Sequence, residues 1–481
     1  MLESELAELA TKVVSRKNED TYVELKAAKK GTPTKLYDTL SSFSNTDGGV
    51  IVFGIDESKG YEACGVFDAK AMIDDVSKQC DGMEPKVRPL FTQTEFAGRT
   101  IVSAEIPAMP AIQKPCYYPG LGLYKGSFVR VGDRDEVMSE YEVFSYLSFR
   151  EHHYPEGAIF ERFGKEALDQ NKVTFILAKF RERSPRAQLQ SDAELMENLG
   201  IIRDGKPTLA GIVSLGKYPQ SLSPSLVLSC SVPATEVYGE SDSSGRRFAA
   251  EAKFTGTISE MVDQGVAFVA SHMDKSIVIG EDGKRHDRPD YPLPAIREAI
   301  VNSLIHRDYS PYKLNVPVAL VMFGDRLVIE NPGGLYGSNT LENLGQPGRV
   351  DIRNPFLVSL VETEQGTENM NSGIIAMRQY MEREGKLPPL FENLPESFRV
   401  TFFKTARSEG SSDREKEIIE FCNKPRSKAA LAERFGFAQE RSSYFFNTYV
   451  LPLIEVGKLR LTIPEKPKSK NQRIVSTDAA D

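Results

Sequence analysis

Glu298 and Asn302 stand four residues apart in the run Arg297-Glu298-Ala299-Ile300-Val301-Asn302-Ser303-Leu304-Ile305-His306. On a helix that spacing stacks them, with His306, along one face. Ile296, Ile300 and Leu304 make a second, apolar ridge beside it. A carboxylate next to a carboxamide offers the oxygen ligands that suit Mg²⁺ and a water near phosphates. The same spacing also describes a helix whose polar side faces water. Further on, Glu330-Asn331-Pro332-Gly333-Gly334-Leu335 closes an apolar segment. An acidic residue at a strand end, followed by glycines, lets backbone approach a ligand closely. A plain turn leaving a strand would look alike. Asn302 and Glu330 are near enough in the chain to share a pocket.

These residues need elements to hold them. Pro294–Tyr309 reads as a helix with proline at its start. Val316–Phe323 and Arg326–Glu330 read as strands joined by Gly324-Asp325, a hairpin signal. Gly373–Gly385 is helical in pattern and Phe398–Phe403 is a last strand. Earlier, residues 1–18 carry Leu2, Leu6, Leu9 and Val13 at helical spacing. Tyr22–Lys26 is β-type, Lys35–Asn45 helical, and Val50–Ile55 a buried strand. β segments follow between Ala97 and Gly132, then a helix over Glu136–Arg150. Between the two regions, Asp192–Gly200 and Thr257–Lys275 read as helices and Leu226–Val232 as a strand. Ser241–Arg247 and residues 280–290 read as exposed loops.

After the polar stretch Ser408–Ser412 the pattern changes again. Asp413–Phe421, Ser427–Phe435 and Gln439–Val450 are helical, with Ser427 an N-cap. Lys458–Ile463 alternates like a β-ribbon. Three helices and a ribbon describe a winged helix-turn-helix. Its third helix would offer Gln439, Arg441 and Tyr444 to a major groove, and Lys458 and Arg460 to phosphates. A winged domain used for dimerisation fits the same pattern. Residues 458–473 hold six Lys or Arg against one Glu, although the whole chain, with 60 basic and 68 acidic residues, is net −8. That balance disfavours coating of nucleic acid over the whole surface and leaves room for local basic patches.

Two resemblances sharpen these readings. Glu19-Asp20-Thr21-Tyr22-Val23-Glu24-Leu25-Lys26, Phe43–Gly49, Phe53-Gly54-Ile55-Asp56 and Ser127–Asp133 resemble the Schlafen AlbA-type nucleic-acid-binding domain. In its nuclease branch three carboxylates bind a divalent metal and cut RNA. The resemblance places them at Glu19, Glu24 and Asp56, where clustered carboxylates could activate water through a metal. Surface carboxylates in a binding module are the alternative, and Lys26 would contact phosphate in either case. Tyr291–Ser310, Asp325–Leu335 and Arg353-Asn354-Pro355 resemble the "RecG-related" ATP-binding domain, a divergent relative of the GHKL (Bergerat-fold) ATPases. That resemblance implies ATP with Mg²⁺. Glu298 would be the general base, Asn302 the Mg²⁺ ligand and Glu330 the adenine contact. Asn331, Gly333, Gly334 and Gly373 would line the nucleotide. Asn371-Ser372-Gly373-Ile374 stands where the family carries Gly-x-Gly-Ile. No GxxxxGK[ST] occurs, so no P-loop motor is expected.

The expected architecture is an α+β multidomain protein. A Schlafen AlbA-type domain would span 1–153, a Bergerat-like α/β sandwich with its N-terminal extension 154–407, a winged helix-turn-helix 412–464, and a basic tail 465–481. Five scattered cysteines without a CxxC point to reduced thiols. The longest apolar run, Val316–Phe323, falls far short of the roughly 20 residues of a membrane span. With no basic-then-apolar leader, the expectation is a cytoplasmic, homo-oligomeric protein. It would bind DNA, with RNA as the alternative target, as a nucleotide-responsive regulator. The alternatives are a metal-dependent RNA or DNA endonuclease, in host defence under ATP control, and a nucleotide-binding scaffold without catalysis.

Overall fold

In the computed structural model, residues 1–17, 21–279, 285–346, 350–365, 373–404, 417–435, 445–455, 457–463 and 472–477 are described. The chain is α+β with mixed sheets and divides into two units. The first is Met1–Tyr154 with Leu335–Thr340 and Val350–Arg353. The second is Pro155–Gly334 with Leu341–Arg349 and Asn354–Asp481.

In the first unit, helix α1 (Glu3–Arg16) buries Leu6, Ala10 and Val13 on one face, as apolar residues three and four apart must. They pack with Val23 and Leu25 of strand β1 (Val23–Lys26). Helix α2 (Tyr37–Asn45) is almost wholly buried although rich in serine. Strand β2 (Gly49–Phe53) follows, parallel to β1. The expected single strand Val50–Ile55 is in fact broken at Gly54, whose φ is +99°. A Cβ there would lie 3.1 Å from Gly65, so Ile55–Asp56 leaves the sheet and pairs with Glu62–Ala63. Helix α3 (Ala69–Asp81) begins at Asp68, which accepts from Ala71 N at 3.0 Å. Strands β3 (Leu90–Phe96) and β4 (Arg99–Ile106) form a hairpin through Ala97 and Gly98, both at positive φ, the backbone a two-residue turn requires. The sheet order is β1-β2-β4-β3. Strands β5 (Phe128–Val131) and β6 (Arg134–Val137) make a separate ribbon. Helix α4 (Glu140–Arg150) therefore starts four residues later than Glu136, at the capping box of Ser139 and Glu142.

In the second unit, α5 (Gln170–Arg183) precedes a six-stranded sheet. Its strands are β7 (Leu228–Pro233), β8 (Phe248–Phe254), β9 (Val318–Met322), β10 (Arg326–Pro332), β11 (Leu390–Asn393) and β12 (Ser397–Phe403), in the order β8-β7-β9-β10-β12-β11. Only the β7–β9 pair is parallel. Helix α6 (Ile258–His272) and helix α7 (Leu293–Ile305) lie on one face. At Gly265 of α6 a Cβ would overlap the Leu228 side chain and approach Ile300 Cδ1 at 3.1 Å. Leu228 is in register with Val318, and Leu320 with Ile329. Side chains alternate along a strand, so Leu228, Val318, Leu320, Leu327 and Ile329 all face the helices, and all are buried. Helices α8 (Pro355–Gln365) and α9 (Gly373–Arg383) complete that layer. Of the loop expected over residues 280–290, 280–284 lie outside the described residues, and Arg285–Pro289 is a strand paired with Lys275–Ile279.

Towards the C-terminus, residues 417–421 are helical. Helix α10 (Lys428–Arg434) is capped by Ser427, whose hydroxyl accepts from Ala430 N at 3.1 Å. The chain is helical again over 445–455. Strands β13 (Leu459–Leu461) and β14 (Ile474–Ser476) pair antiparallel, and Arg426 bridges to Ile474. Ile418, Leu431, Phe445, Val450, Leu459 and Ile474 share one apolar cluster.

Candidate functional site

Glu298 and Asn302 do meet. Successive turns of α7 bring Asn302 Nδ2 to 3.1 Å from Glu298 Oε1, to which it donates. Burial pushes the Glu298 carboxyl above its ordinary range, and the Asn302 amide draws it partly back. The third partner is Gly373, the first residue of α9. A Cβ there would collide with Glu298 Oε1 and lie 2.8 Å from Asn302 Nδ2. No side chain stands between them, so the start of an 11-residue helix rests directly on the carboxylate–amide pair. The N-terminal end of a helix, with its aligned N–H groups and positive dipole end, favours an anion. Glu362 of α8 lies in the same electrostatic neighbourhood. Its carboxyl is raised by burial and by Glu298, against the pull of Arg183.

Glu330 is not part of this group. It pairs in register with Ala319 and Arg399, on the sheet face opposite the helices. There its carboxylate accepts from Arg399 Nε and Nη2 at 3.0 and 2.9 Å and from Ser397 Oγ at 2.6 Å. Period-two alternation separates it from Glu298 however near the two are in sequence. Its neighbour Asn331 shares parity with Leu327 and Ile329 and is buried on the helix side. Gly333 has φ +94°, and Gly334 lies close against Asn393 and the Leu394 carbonyl. The turn after β10 thus needs both glycines.

In the first unit, Glu24 is buried and committed. Its Oε2 accepts from Arg130 Nη2 at 3.0 Å and its Oε1 from Lys26 Nζ. Arg130, 1% exposed, also binds Asp135 Oδ1 at 2.9 Å and lies over the Phe43 ring. Burial works against the guanidinium charge, but Asp135 and Glu24 more than offset it and hold the pKa above the ordinary arginine value. Lys26, expected to contact phosphate, is thereby engaged with Glu24. Asp56 has other partners: Ser58 Oγ donates at 2.6 Å and Lys59 Nζ lies 3.8 Å away. The hydroxyl, then the lysine, hold its carboxyl below the usual range. Glu19 lies outside the described residues. Among the described residues no three His, Cys, Asp or Glu side chains are grouped to hold a metal ion. No helix among them is long and apolar enough to cross a membrane. Lys458 and Arg460 are exposed at β13, whereas Gln439, Arg441 and Tyr444 lie outside the described residues. Arg130 and Asp135 escaped the sequence reading because their partner Glu24 is more than a hundred residues away.

Residues 19–139 match the family model described as "Schlafen, AlbA_2". Residues 316–402 match that described as "Putative ATP-dependent DNA helicase recG C-terminal". The chain joins a Schlafen AlbA_2 region to a RecG-C-terminal-type region. The second match begins after α7, so Glu298 and Asn302 precede it. No curated protein matches the chain. Among solved structures, the DIP2311 protein from Corynebacterium diphtheriae is similar at 16% identity and TM-score 0.40, covering 99% of this chain and 98% of its own. The N-terminal domain of a RecG-related protein from Nitrosomonas europaea is 24% identical with TM-score 0.23. It covers 28% of this chain and 95% of its own. The two family matches together point to nucleic-acid binding with involvement of ATP.

Proposed function

We propose that the chain is a nucleotide-responsive, DNA-binding regulator in which ATP with Mg²⁺ sets the affinity for nucleic acid. The observation that carries this reading is the group formed by Glu298, Asn302 and Gly373. It combines two oxygen-bearing side chains, a helix N-terminus and a close approach of the Gly373 backbone to the carboxylate. These residues fit a magnesium nucleotide. Asn302 would supply a metal ligand, Glu298 would orient or deprotonate water, and the backbone at Gly373 would face phosphate. Bound Mg²⁺ would supply charge neutralisation on the phosphate oxygens. Asn331, on the helix side of the turn, takes the place at the strand end that Glu330 leaves.

The Schlafen AlbA_2 region is proposed to bind nucleic acid without cutting it. Glu24 already has two cationic partners, which supports a structural role over a metal ligand. The C-terminal helices, the Arg426–Ile474 bridge and the β13–β14 ribbon support a winged helix-turn-helix, with Lys458 and Arg460 on its ribbon. A two-fold homo-oligomer on a palindromic site is the arrangement such a domain favours. The test is the dissociation constant of the full chain for a fluorescent DNA duplex, with and without ATP·Mg²⁺. A nucleotide-dependent change and an uncut probe are expected. An affinity indifferent to saturating ATP, or a metal-dependent cut lost in Glu24→Gln, would overturn the reading.

A further inference from the structure

The six-stranded sheet of the second unit ends on β8, and among the described residues no strand pairs with the outer side of β8. An edge strand turns a row of N–H and C=O groups outward and is a template for another strand. At seven residues β8 is longer than the opposite edge, the four-residue β11, whose Glu392 lies 3.8 Å from Arg399. Side chains alternate along β8. Ala250, Ala252 and Phe254 are half-buried, and Glu251 and Lys253 are exposed. The Phe254 ring meets Phe268 of α6, with centroids 5.9 Å apart. The half-buried set therefore faces the helices, and the two charges stand on the other face. No ion pair joins either charge to another described residue.

The register of β8 on β7 is regular from the Leu228–Phe254 pair to the Val232–Ala250 pair and shifts beyond it. The regular stretch is thus Ala250–Phe254, and its midpoint is Ala252. A second β8 can add antiparallel about a two-fold axis perpendicular to the sheet. A slip of one residue turns every side chain to the wrong face, so the axis must set some residue opposite itself. Centred on Glu251 or on Lys253, the pairing brings like charges together, which is destabilising. Centred on Ala252, it sets Glu251 of each copy opposite Lys253 of the other. On the helix side it sets Ala250 opposite Phe254, a small side chain against an aromatic one. The register that keeps the whole regular stretch paired is therefore also the one that matches the charges.

We propose that β8 is a self-complementary dimer edge, which takes β8 of a second copy of this chain, antiparallel and centred on Ala252. The two sheets then run on as one, and the edge that either copy alone leaves open is closed. Glu251 is what makes this edge selective. A lone lysine on an edge strand repels a second copy of itself, whereas Glu251 two residues before Lys253 turns the same lysine into half of two cross-strand ion pairs. The pairing needs neither nucleotide nor DNA, so it stands or falls apart from the function proposed above.

The test is sedimentation equilibrium of the full chain beside Glu251→Lys, Lys253→Glu and the double variant carrying both changes. Both positions are exposed, so the circular dichroism spectrum and thermal midpoint should stay as in the wild type. The wild type is expected to dimerise. Each single reversal turns two cross-strand pairs from attraction to repulsion and should raise the dimer dissociation constant by about tenfold or more. The double variant exchanges the charges and should dimerise like the wild type. An equimolar mixture of the two single variants should form heterodimers, because opposite charges then meet again. A wild type that stays monomeric up to its highest soluble concentration would overturn the pairing. So would a dissociation constant that neither reversal changes, or a double variant no stronger than the single ones. None of these results bears on the nucleotide site.

Discussion

Glu156 gives the sharpest stability prediction. Its carboxyl is completely buried, and its two oxygens accept from Phe356 N and Leu357 N at 2.9 and 2.8 Å, in the first turn of α8. Burial pushes the group up from 4.5 to about 7, despite those two donors. The folded state therefore holds a proton that the unfolded chain releases near 4.5. Below that pH the two states bind it equally. Between 4.5 and about 7 stability falls as pH rises, by about 1.4 kcal/mol per unit, or about 3 kcal/mol in all. Glu156→Gln keeps a carbonyl acceptor and cannot ionise. Its cost at acid pH is about 1 kcal/mol, one weakened hydrogen bond. The stability difference, wild type minus variant, should thus drop by about 3 kcal/mol from pH 4.5 to 8. Urea unfolding followed by circular dichroism at several pH values measures it. A difference that is flat with pH would refute the argument that desolvation dominates at this site.

Two further perturbations test the first unit and the cores. Arg130→Met leaves Glu24 and Asp135 without their shared cation. Breaking a buried pair from one side costs about 3–5 kcal/mol, so urea unfolding should show a loss of that size, and a loss under about 1 kcal/mol would mean the network is not buried as described. The Cys80, Cys116, Cys230 and Cys422 thiols are all pushed up to about 12 by burial. A thiol-reactive chromophore at pH 8 should therefore label Cys64 alone in the native protein and all five cysteines after denaturation. Rapid labelling of a second thiol would contradict this.

What could be read from the sequence was what local spacing determines. The i,i+4 contact of Glu298 with Asn302 follows from helix geometry, and the Val316–Glu330 hairpin from its apolar runs and Gly324-Asp325. The Ser427 cap was equally legible. Strand register was not. Whether Glu330 faces the helices depends on pairing with Ala319 and Arg399, across two strands. The break at Gly54 goes with the close approach of Gly65, eleven residues on, which spacing alone does not reveal. Helix α3 was missed although Asp68 and the Met72, Val76 and Cys80 ridge announce it. The Glu24–Arg130–Asp135 network joins distant segments, so no motif at Glu24 could reveal that the carboxylate is already paired. The edge-on contact of the Tyr336 and Phe149 rings is long-range in the same way.

The central claim is that Glu298, Asn302 and Gly373 form a nucleotide site. Isothermal titration of the full chain with ATP and Mg²⁺, beside Glu298→Ala, Asn302→Ala and Gly373→Ala, tests it most directly. The expected result is saturable binding by the wild type. The two side-chain truncations should weaken it by about tenfold or more, the effect of losing about 1.4 kcal/mol. Gly373→Ala should weaken it likewise while leaving the thermal midpoint nearly unchanged, because its Cβ displaces the tip of a glutamate side chain and not the backbone. Binding by the wild type that is equally strong in all three variants would place the nucleotide elsewhere, and no binding at all would leave this group a structural contact between α7 and α9.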